Sequence, residues 1–269
     1  MEEKAITVRE VNLYRFDLNQ GSIGIISDEV AADEAVCIFL NERYFRALIA
    51  TPGMRRELVV GHLFCEGIVE SEDEIQEIEM QPAKVYVTLS KEIELDRLLQ
   101  GRVDLITTVC GALTRPLRTN TLGFSKIASS IELSTQVVLL MVRELNKRGT
   151  LFRSTGGVHS AMLCSPDGKC LSFAEDVGRH NAVDKVVGAG ILRGVSLDGC
   201  VLISSGRQSG EMVLKAAHAG VPVIASVSAP LTSGIRIAEA AGITLIGFAR
   251  GQRMNVYTNP QRVSLNIGV

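Results

Sequence analysis

The chain passes from a strand into a helix within Phe173-Ala174-Glu175-Asp176-Val177-Gly178-Arg179-His180-Asn181-Ala182-Val183-Asp184-Lys185. Residues 169–173 have the pattern of a short strand, and apolar residues from Ala182 to Ile191 recur at helical spacing. We predict that Asp176 caps the helix, which would place Asp176, His180 and Asp184 along one helix face. Two interpretations are open: a site built from these polar side chains, or a capped surface helix with a His–Asp pair four residues apart.

Strands and helices alternate on both sides of this stretch. We predict a helix from Ser134, a hairpin over residues 158–173, and strands at 200–204, 221–227 and 244–248 with helices between them. This alternation predicts an α/β fold with a mostly parallel sheet that is covered by helices on both faces.

The first hundred residues have a different pattern, rich in strands. Two hairpins are predicted, over residues 36–50 and 74–90, with a helix at 54–65 between them. Residues 105–121 show neither the helical nor the strand period of apolar residues, which is typical of a long functional loop. We therefore divide the chain into a smaller, strand-rich N-terminal α+β domain (1–108) and an α/β domain (109–269), with a mobile active-site loop at 109–121.

Composition narrows the class of protein. The 269 residues are 46% hydrophobic and 22% charged with a net charge of −2, so no basic surface favours nucleic acid. The apolar helical run at 137–142 is far shorter than the roughly 20 residues that cross a bilayer, and the acidic N-terminus does not have the pattern of a signal peptide. Six cysteines without a C-x-x-C pair are typical of a reducing compartment. We expect a cytoplasmic protein with no membrane or nucleic-acid partner.

Three predicted loops follow parallel strands and are suited to bind anions. They are Ser204-Ser205-Gly206-Arg207-Gln208-Ser209, residues 228–233, and Phe248-Ala249-Arg250-Gly251-Gln252-Arg253. Loops at the carboxyl ends of parallel strands gather at one edge of the sheet, and free N–H groups of the following helices attract phosphate. We therefore predict a nucleotide or polyphosphate site, although the chain has neither a Walker loop nor a dinucleotide fingerprint.

Other residues leave alternatives open. Thr155, Gly156 and Gly157 would let the backbone approach a ligand, with His159 beside them, or they form a loop with an exposed histidine. Cys110 lies in a loop with arginines downstream, which favour a reactive thiolate. His62 and His218 are interpreted as structural, and Glu211 and Lys215 as a solvated pair on a helix surface.

No metal site is predicted. His159 is not followed by the glutamate of an H-x-E motif, and no P-C-x-x-C segment occurs, so the zinc pattern of the deaminases is missing.

The chain resembles the formate dehydrogenase accessory sulfurtransferases, from about residue 33 to residue 258. The resemblance is carried by residues 152–159, by residues 175–185, by Ser205-Gly206-Arg207 and by residues 247–251, and in the first half by Thr51-Pro52-Gly53 and residues 57–63. The segment at 175–185 is the most specific, because it is long and combines rare polar residues.

The resemblance implies a three-layer fold like that of the cytidine deaminases, without the zinc, in a homodimer. It implies that Cys110 takes sulfur from a cysteine desulfurase as a persulfide and transfers it to the molybdenum cofactor in its bis(molybdopterin guanine dinucleotide) form, which formate dehydrogenase requires. The expected cofactor-binding residues are Phe248, Ala249, Arg250, Gly251, Gln252, Arg253, Ser205, Gly206, Arg207, Thr155, Gly156, Gly157, His159, Glu175, Asp176, Arg179, His180, Asp184 and Lys185.

One departure from the family pattern keeps an alternative open. The family commonly has two cysteines spaced C-x-x-C in the mobile loop, whereas this chain has Cys110-Gly111-Ala112-Leu113. The alternative is a cofactor-binding chaperone that transfers no sulfur. A hydrolase on the same scaffold is disfavoured because the sequence shows no metal constellation.

Overall fold

The computed structural model describes residues 6–91 and 124–265. The predicted domain boundary and Cys110 lie outside the described residues.

Within residues 6–91, the N-terminal part consists of a two-stranded arm, a four-stranded sheet and one α-helix. The arm pairs β1 with β2, and the sheet has the order β4-β3-β6-β5. The elements are β1 Val8–Asp17, β2 Ser22–Ala31, β3 Glu34–Leu40, β4 Arg43–Ala50, α1 Arg55–Cys65, β5 Ile75–Gln81 and β6 Lys84–Leu89. Both predicted hairpins are confirmed. Asn41 and Glu42 have φ angles of 46° and 65°, as the tight turn of the first hairpin requires.

The C-terminal part is built on a six-stranded sheet of order β13-β12-β11-β10-β8-β9. The elements are β7 Leu133–Ser134, α2 Thr135–Arg148, α3 Thr150–Thr155, β8 His159–Cys164, β9 Cys170–Asp176, α4 Arg179–Ile191, β10 Val201–Ser204, α5 Gly210–His218, β11 Val223–Ser226, α6 Thr232–Ala241, β12 Thr244–Arg250, β13 Arg253–Val256 and β14 Val263–Ser264. The predicted alternation of strands and helices is confirmed, and Ser134 caps α2 as expected, accepting a hydrogen bond from the Val137 amide.

The prediction of a mostly parallel sheet is wrong. Only β10, β11 and β12 are parallel to one another, while β8, β9 and β13 pair antiparallel. The physical reason is the length of two connections, residues 165–169 and Gly251-Gln252, which are too short to cross over a sheet and can only join antiparallel neighbours.

Two layers of helices cover this sheet. One face packs on α2, where Val138, Met141 and Leu145 are buried. The other face packs on α4, α5 and α6, and one continuous core extends from there to α1 and the four-stranded sheet. The result is a mixed α/β protein. No helix among the described residues is long and apolar enough to cross a membrane.

Helices α1 and α4 cross with their backbones in contact. A Cβ atom on Gly61 would lie 1.8 Å from the carbonyl oxygen of Asp184, and one on Gly188 would lie 2.0 Å from that of Glu57. Only glycine allows this approach. As a result, the polar residues of α4 reach the N-terminal part of the chain.

Candidate functional site

The strand directions bring the predicted loops to one edge of the six-stranded sheet, which we call the carboxyl edge. It contains the segments after Ser204 and Ser226, the first residue of β8, the last residue of β9 and the tip of the β12–β13 hairpin. His159 at the start of β8 lies opposite Asp176 at the end of β9. The prediction that the three anion-suited loops share an edge is confirmed.

Hydrogen bonds join the segments of the carboxyl edge to one another. The Ser205 amide donates to the Ser160 carbonyl at 2.9 Å, and the Ser205 hydroxyl accepts from the Ser160 amide at 3.0 Å. The same hydroxyl lies 3.2 Å from Nδ1 of His159. The Ser226 hydroxyl donates to the Gly206 carbonyl at 2.7 Å. These hydrogen bonds fix the segments of the carboxyl edge relative to one another.

The segment from Phe248 to Arg253 is the tip of a hairpin, not the open loop that the sequence predicted. Its strand continues to Arg250, and Arg253 begins β13. Phe248 has a φ angle of 52°, an unusual backbone conformation for an aromatic residue, and its amide donates to the Ser228 carbonyl at 3.0 Å. Such conformations are concentrated at functional sites. Ala249 is buried, while Arg250, Gly251, Gln252 and Arg253 are exposed.

Cationic side chains surround His159. Burial lowers the pKa of His159, and the nearby Arg179, His180 and Arg207 lower it further, which places all four residues in one electrostatic neighbourhood. A Cβ atom on Gly206 would lie 2.8 Å from Cδ of Arg179, so the arginine stem packs directly on this loop. The positive charge and the exposed guanidinium of Arg207 are suited to an anionic ligand.

Glu211 is a residue of this edge that the sequence interpretation missed. It was expected to be solvated beside Lys215, but its Oε2 lies 3.3 Å from Nε2 of His180. Its Oε1, Oε1 of Gln208 and Oγ of Ser209 are buried and have no hydrogen-bond partner among the described residues. Buried polar atoms in native proteins nearly always have partners, so these three atoms are candidates for ligand contacts. The sequence did contain a signal for this role, because Glu211 follows the anion-suited loop at 204–209 by two residues.

Asp176 does not cap α4, contrary to the prediction. The N-cap is Gly178, and the helix starts at Arg179. The Asp176 carboxylate instead accepts from the Thr51 amide at 3.1 Å, the Gly178 amide at 2.9 Å and Nδ2 of Asn181 at 2.9 Å. It also pairs with Nζ of Lys185 at 2.7 Å. Four protein donors surround this carboxylate, so direct contact between Asp176 or Lys185 and a cofactor would require these bonds to break.

Glu175 and the Gly pair organise the segment around α3. The Glu175 carboxylate accepts from the Leu151 and Phe152 amides, each at 2.9 Å. Gly156, with a φ angle of 66°, ends α3, and the Gly157 amide donates to the Thr155 hydroxyl at 3.2 Å. A Cβ atom on Gly157 would lie 3.3 Å from Cβ of Ala31, so this segment lies against the arm.

A second buried network joins α1, α4 and α5. Nδ1 of His62 lies 2.9 Å from Oδ2 of Asp184, and Nζ of Lys215 lies 2.8 Å from Oδ1 of Asp184 and 3.2 Å from Glu66. Lys215 and Asp184 are buried, so the interpretation of Lys215 as solvated is wrong. His62 is part of this internal structure. Asp184 was expected to contact the cofactor, and here protein atoms hold it.

Neighbouring groups and burial together set the pKa values of His62 and Asp184 in this network. Burial lowers the pKa of His62, against the opposing effect of Asp184. Burial alone would raise the pKa of Asp184, but Lys215 and His62 bring it below its ordinary value. A neutral imidazole donates through Nδ1 to Asp184 and accepts through Nε2 from Nη1 of Arg46 at 3.0 Å.

We expect acid to destabilise the protein through His62. Because its folded-state pKa lies below that of the unfolded chain, its contribution is present above about pH 6.5 and is lost as the pH falls through the folded-state pKa. The free energy of unfolding, measured by urea denaturation, should decrease by up to about 2 kcal/mol more between pH 7 and pH 5 in the native sequence than in His62→Gln. Equal pH dependence in both proteins would contradict this assignment.

The residues described by the structure include no group of three or more His, Cys, Asp or Glu side chains arranged to hold a metal ion.

Fold and site together define a class: a mixed α/β protein whose carboxyl edge presents exposed arginines and glycine turns suited to an anionic ligand, beside buried polar atoms without a partner among the described residues. The model of the FdhD/NarQ family matches residues 31–264. The chain belongs to this family.

Curated relatives match over most of their length. The sulfur carrier protein FdhD of Sulfolobus acidocaldarius is 38% identical over 240 residues, covering 88% of this chain and 92% of the relative. The sulfur carrier protein FdhD of Bacillus subtilis is 35% identical and covers 98% of this chain and 99% of the relative. A crystal structure described as a formate dehydrogenase accessory protein from Desulfotalea psychrophila superimposes with a TM-score of 0.79 at 27% identity, covering 96% of this chain and all of that one.

Proposed function

We propose that this protein is a sulfur carrier in the maturation of formate dehydrogenase. Its relatives over nearly the full length are named sulfur carrier proteins, and this is the observation that carries the proposal. In the proposed reaction Cys110 accepts sulfane sulfur from a cysteine desulfurase as a persulfide. It then transfers that sulfur to its substrate, the molybdenum cofactor carrying two guanine dinucleotides. In the first step the Cys110 thiolate attacks the outer sulfur of the desulfurase persulfide and expels the desulfurase thiolate. In the second step the substrate attacks the outer sulfur of the Cys110 persulfide, the S–S bond breaks and the Cys110 thiolate leaves, with the substrate supplying the two electrons that reduce the transferred sulfur.

The geometry of the carboxyl edge supports binding of this substrate. Its guanine dinucleotides carry phosphates, and Arg207, Arg250 and Arg253 are exposed beside glycine-containing turns. Cζ of Arg250 lies 5.9 Å from the centre of the Phe248 ring, so an aromatic face accompanies the cationic groups. The unpartnered atoms of Gln208, Ser209 and Glu211 provide polar contacts at the same edge. We propose that these residues, with His159, Arg179 and His180, bind the substrate.

Removal of the Cys110 thiol tests the sulfur-transfer step. We expect Cys110→Ala to take up no labelled sulfur from the desulfurase, by mass spectrometry, and to abolish activation of formate dehydrogenase. Cys37→Ala is the matched control, because Cys37 is a half-buried thiol on β3, outside the carboxyl edge, and should keep both properties. If Cys110→Ala still activates the dehydrogenase fully, the carrier role fails and the cofactor-binding chaperone is supported.

Nucleotide binding is tested separately at the hairpin tip. We expect Arg250→Ala to weaken GDP binding by at least about tenfold, because an arginine–phosphate contact contributes about 1.5–3 kcal/mol in partly desolvated sites and 1.4 kcal/mol corresponds to about tenfold. Calorimetric titration at two salt concentrations measures this loss. Lys169→Ala removes one positive charge from the exposed turn at the opposite edge of the sheet and should leave the affinity unchanged. Equal loss in both variants would mean that only the net charge matters.

The proposal includes a homodimer, and the arm offers a surface for it. Tyr14 and Phe16 of β1 pair with Ile25 and Ile23 of β2, so the four side chains share one face of the ribbon. Each is about two-thirds exposed, and two-stranded ribbons are marginally stable without a partner. We also propose a three-layer fold like that of the cytidine deaminases, which rests on the sequence resemblance and is supported by the helices that flank both faces of the six-stranded sheet.

A further inference from the structure

We propose that Cys164 and Cys170 form a thiol–disulfide exchange site, which takes a low-molecular-weight disulfide such as oxidised glutathione and becomes a cross-strand disulfide. The site lies at the edge of the sheet opposite the carboxyl edge, so it is independent of the proposed sulfur transfer.

The strand register brings the two cysteines together. Cys164 ends β8, Cys170 begins β9, and they are partners in the antiparallel ladder just beyond a register shift between Leu163 and Cys164. The next pair outward carries a ladder hydrogen bond, from the Ser165 amide to the Lys169 carbonyl at 3.0 Å. Hydrogen-bonded and non-hydrogen-bonded pairs alternate, so we expect Cys164 and Cys170 at a non-hydrogen-bonded position, where Cα atoms typically lie about 4.5 Å apart. This separation lies within the range of roughly 4.4–6.8 Å that disulfides span.

Both thiols point to the same face of the sheet. Cys164 is buried in the core that α2 covers, and Cys170 packs against the same core. Cys200, the other thiol near Cys164, belongs to the core on the opposite face, and its Sγ donates to the Ser196 carbonyl at 3.3 Å. The sheet therefore separates Cys200 from the pair, and Cys170 is the partner that Cys164 can reach.

Access from solvent exists at Cys170. This residue is partly exposed and lines a pocket between α2 and the 165–169 turn, together with Arg148, Glu144 and Asp167. In the first step, the Cys170 thiolate attacks one sulfur of the disulfide, forms a mixed disulfide and expels one thiolate. In the second, the Cys164 thiolate attacks the Cys170 sulfur and expels the other thiolate. Two protein thiols are oxidised to one disulfide, and one small disulfide is reduced to two thiols.

The surroundings predict slow exchange that accelerates with pH. Burial raises the pKa of Cys164 to about 12, and it also raises the pKa of Cys170, where Arg148 and Arg193 act against it and Glu144 adds to it. Only the thiolate reacts, so the rate should increase about tenfold for each pH unit from pH 7 to pH 9.

The experiment uses the full chain with Cys110→Ala, so that the carrier thiol does not compete. After incubation with oxidised glutathione, peptide mapping should find a Cys164–Cys170 linkage. Cys164→Ser should instead keep glutathione on Cys170, and Cys170→Ser should show neither a linkage nor an adduct at Cys164. A glutathione adduct on Cys170 that never resolves in the presence of Cys164 would overturn the proposal. So would no modification at pH 9, or a linkage that forms only when urea is added.

Discussion

Replacing Asp176 by alanine is expected to lower the free energy of unfolding by about 3–5 kcal/mol, because it leaves the Lys185 ammonium buried without its counter-ion. Asp176 is fully buried and Lys185 is 2% exposed. Without the carboxylate, Nζ of Lys185 would keep the Thr51 carbonyl at 2.7 Å as its hydrogen-bond acceptor. The Thr51 and Gly178 amides would lose their acceptor as well.

Urea denaturation of the native sequence and of Asp176→Ala measures this loss. The matched control is Glu144→Ala, which removes an exposed carboxylate from its pair with Arg148, where the side chains are 34% and 45% exposed. Exposed pairs of this kind contribute about 0.3–0.5 kcal/mol. If both variants lose the same small amount, the Asp176–Lys185 pair is not buried in solution.

This pair also shows what local sequence patterns can and cannot predict. The hairpin turn at Asn41-Glu42 and the helix from Thr135 follow from turn and capping residues that lie next to one another in the chain. The shared edge of the anion-suited loops follows from the order of strands and helices. The contact between Asp176 and Thr51 does not, because Thr51 is 125 residues away. The other partners, Gly178, Asn181 and Lys185, lie in the same stretch of sequence as Asp176. The sequence therefore predicted a helix cap, whereas in the structure the buried Asp176 carboxylate accepts hydrogen bonds from the Thr51 and Gly178 amides and so connects two distant segments.

The same difference between local pattern and tertiary packing explains why the sequence did not predict the buried network of His62, Asp184 and Lys215. His62 and Asp184 are separated by 122 positions, and Lys215 and Glu66 by 149, so no periodic pattern marks them as a network. An i,i+4 spacing assigned Lys215 to Glu211, but its helix turns those residues toward different partners, Asp184 and His180. The i,i+4 spacing placed Glu211 and Lys215 one helical turn apart, but only the tertiary packing determines that Lys215 is buried and which partner each residue contacts.

Substitution of Gly61 by alanine is expected to have the other large effect, a loss of at least about 3 kcal/mol in the free energy of unfolding. Overpacking of a core typically costs about 1–3 kcal/mol when side chains can move aside. Here the new methyl group would lie 1.8 Å from the Asp184 carbonyl oxygen and 2.7 Å from the Gly188 amide nitrogen, which are backbone atoms. Helices α1 and α4 would have to separate, and the His62–Asp184 hydrogen bond across their interface would lengthen.

The control for this prediction is Gly199→Ala. Gly199 is exposed and has open space where a Cβ atom would lie, so the same change should alter stability by no more than about 0.5 kcal/mol. Urea denaturation of both variants separates the effect of the helix contact from the intrinsic difference between glycine and alanine. Because the contact joins the arm-bearing part of the chain to the helix that begins at the carboxyl edge, Gly61→Ala should also weaken GDP binding. Unchanged stability in Gly61→Ala would show that the two helices do not touch in solution.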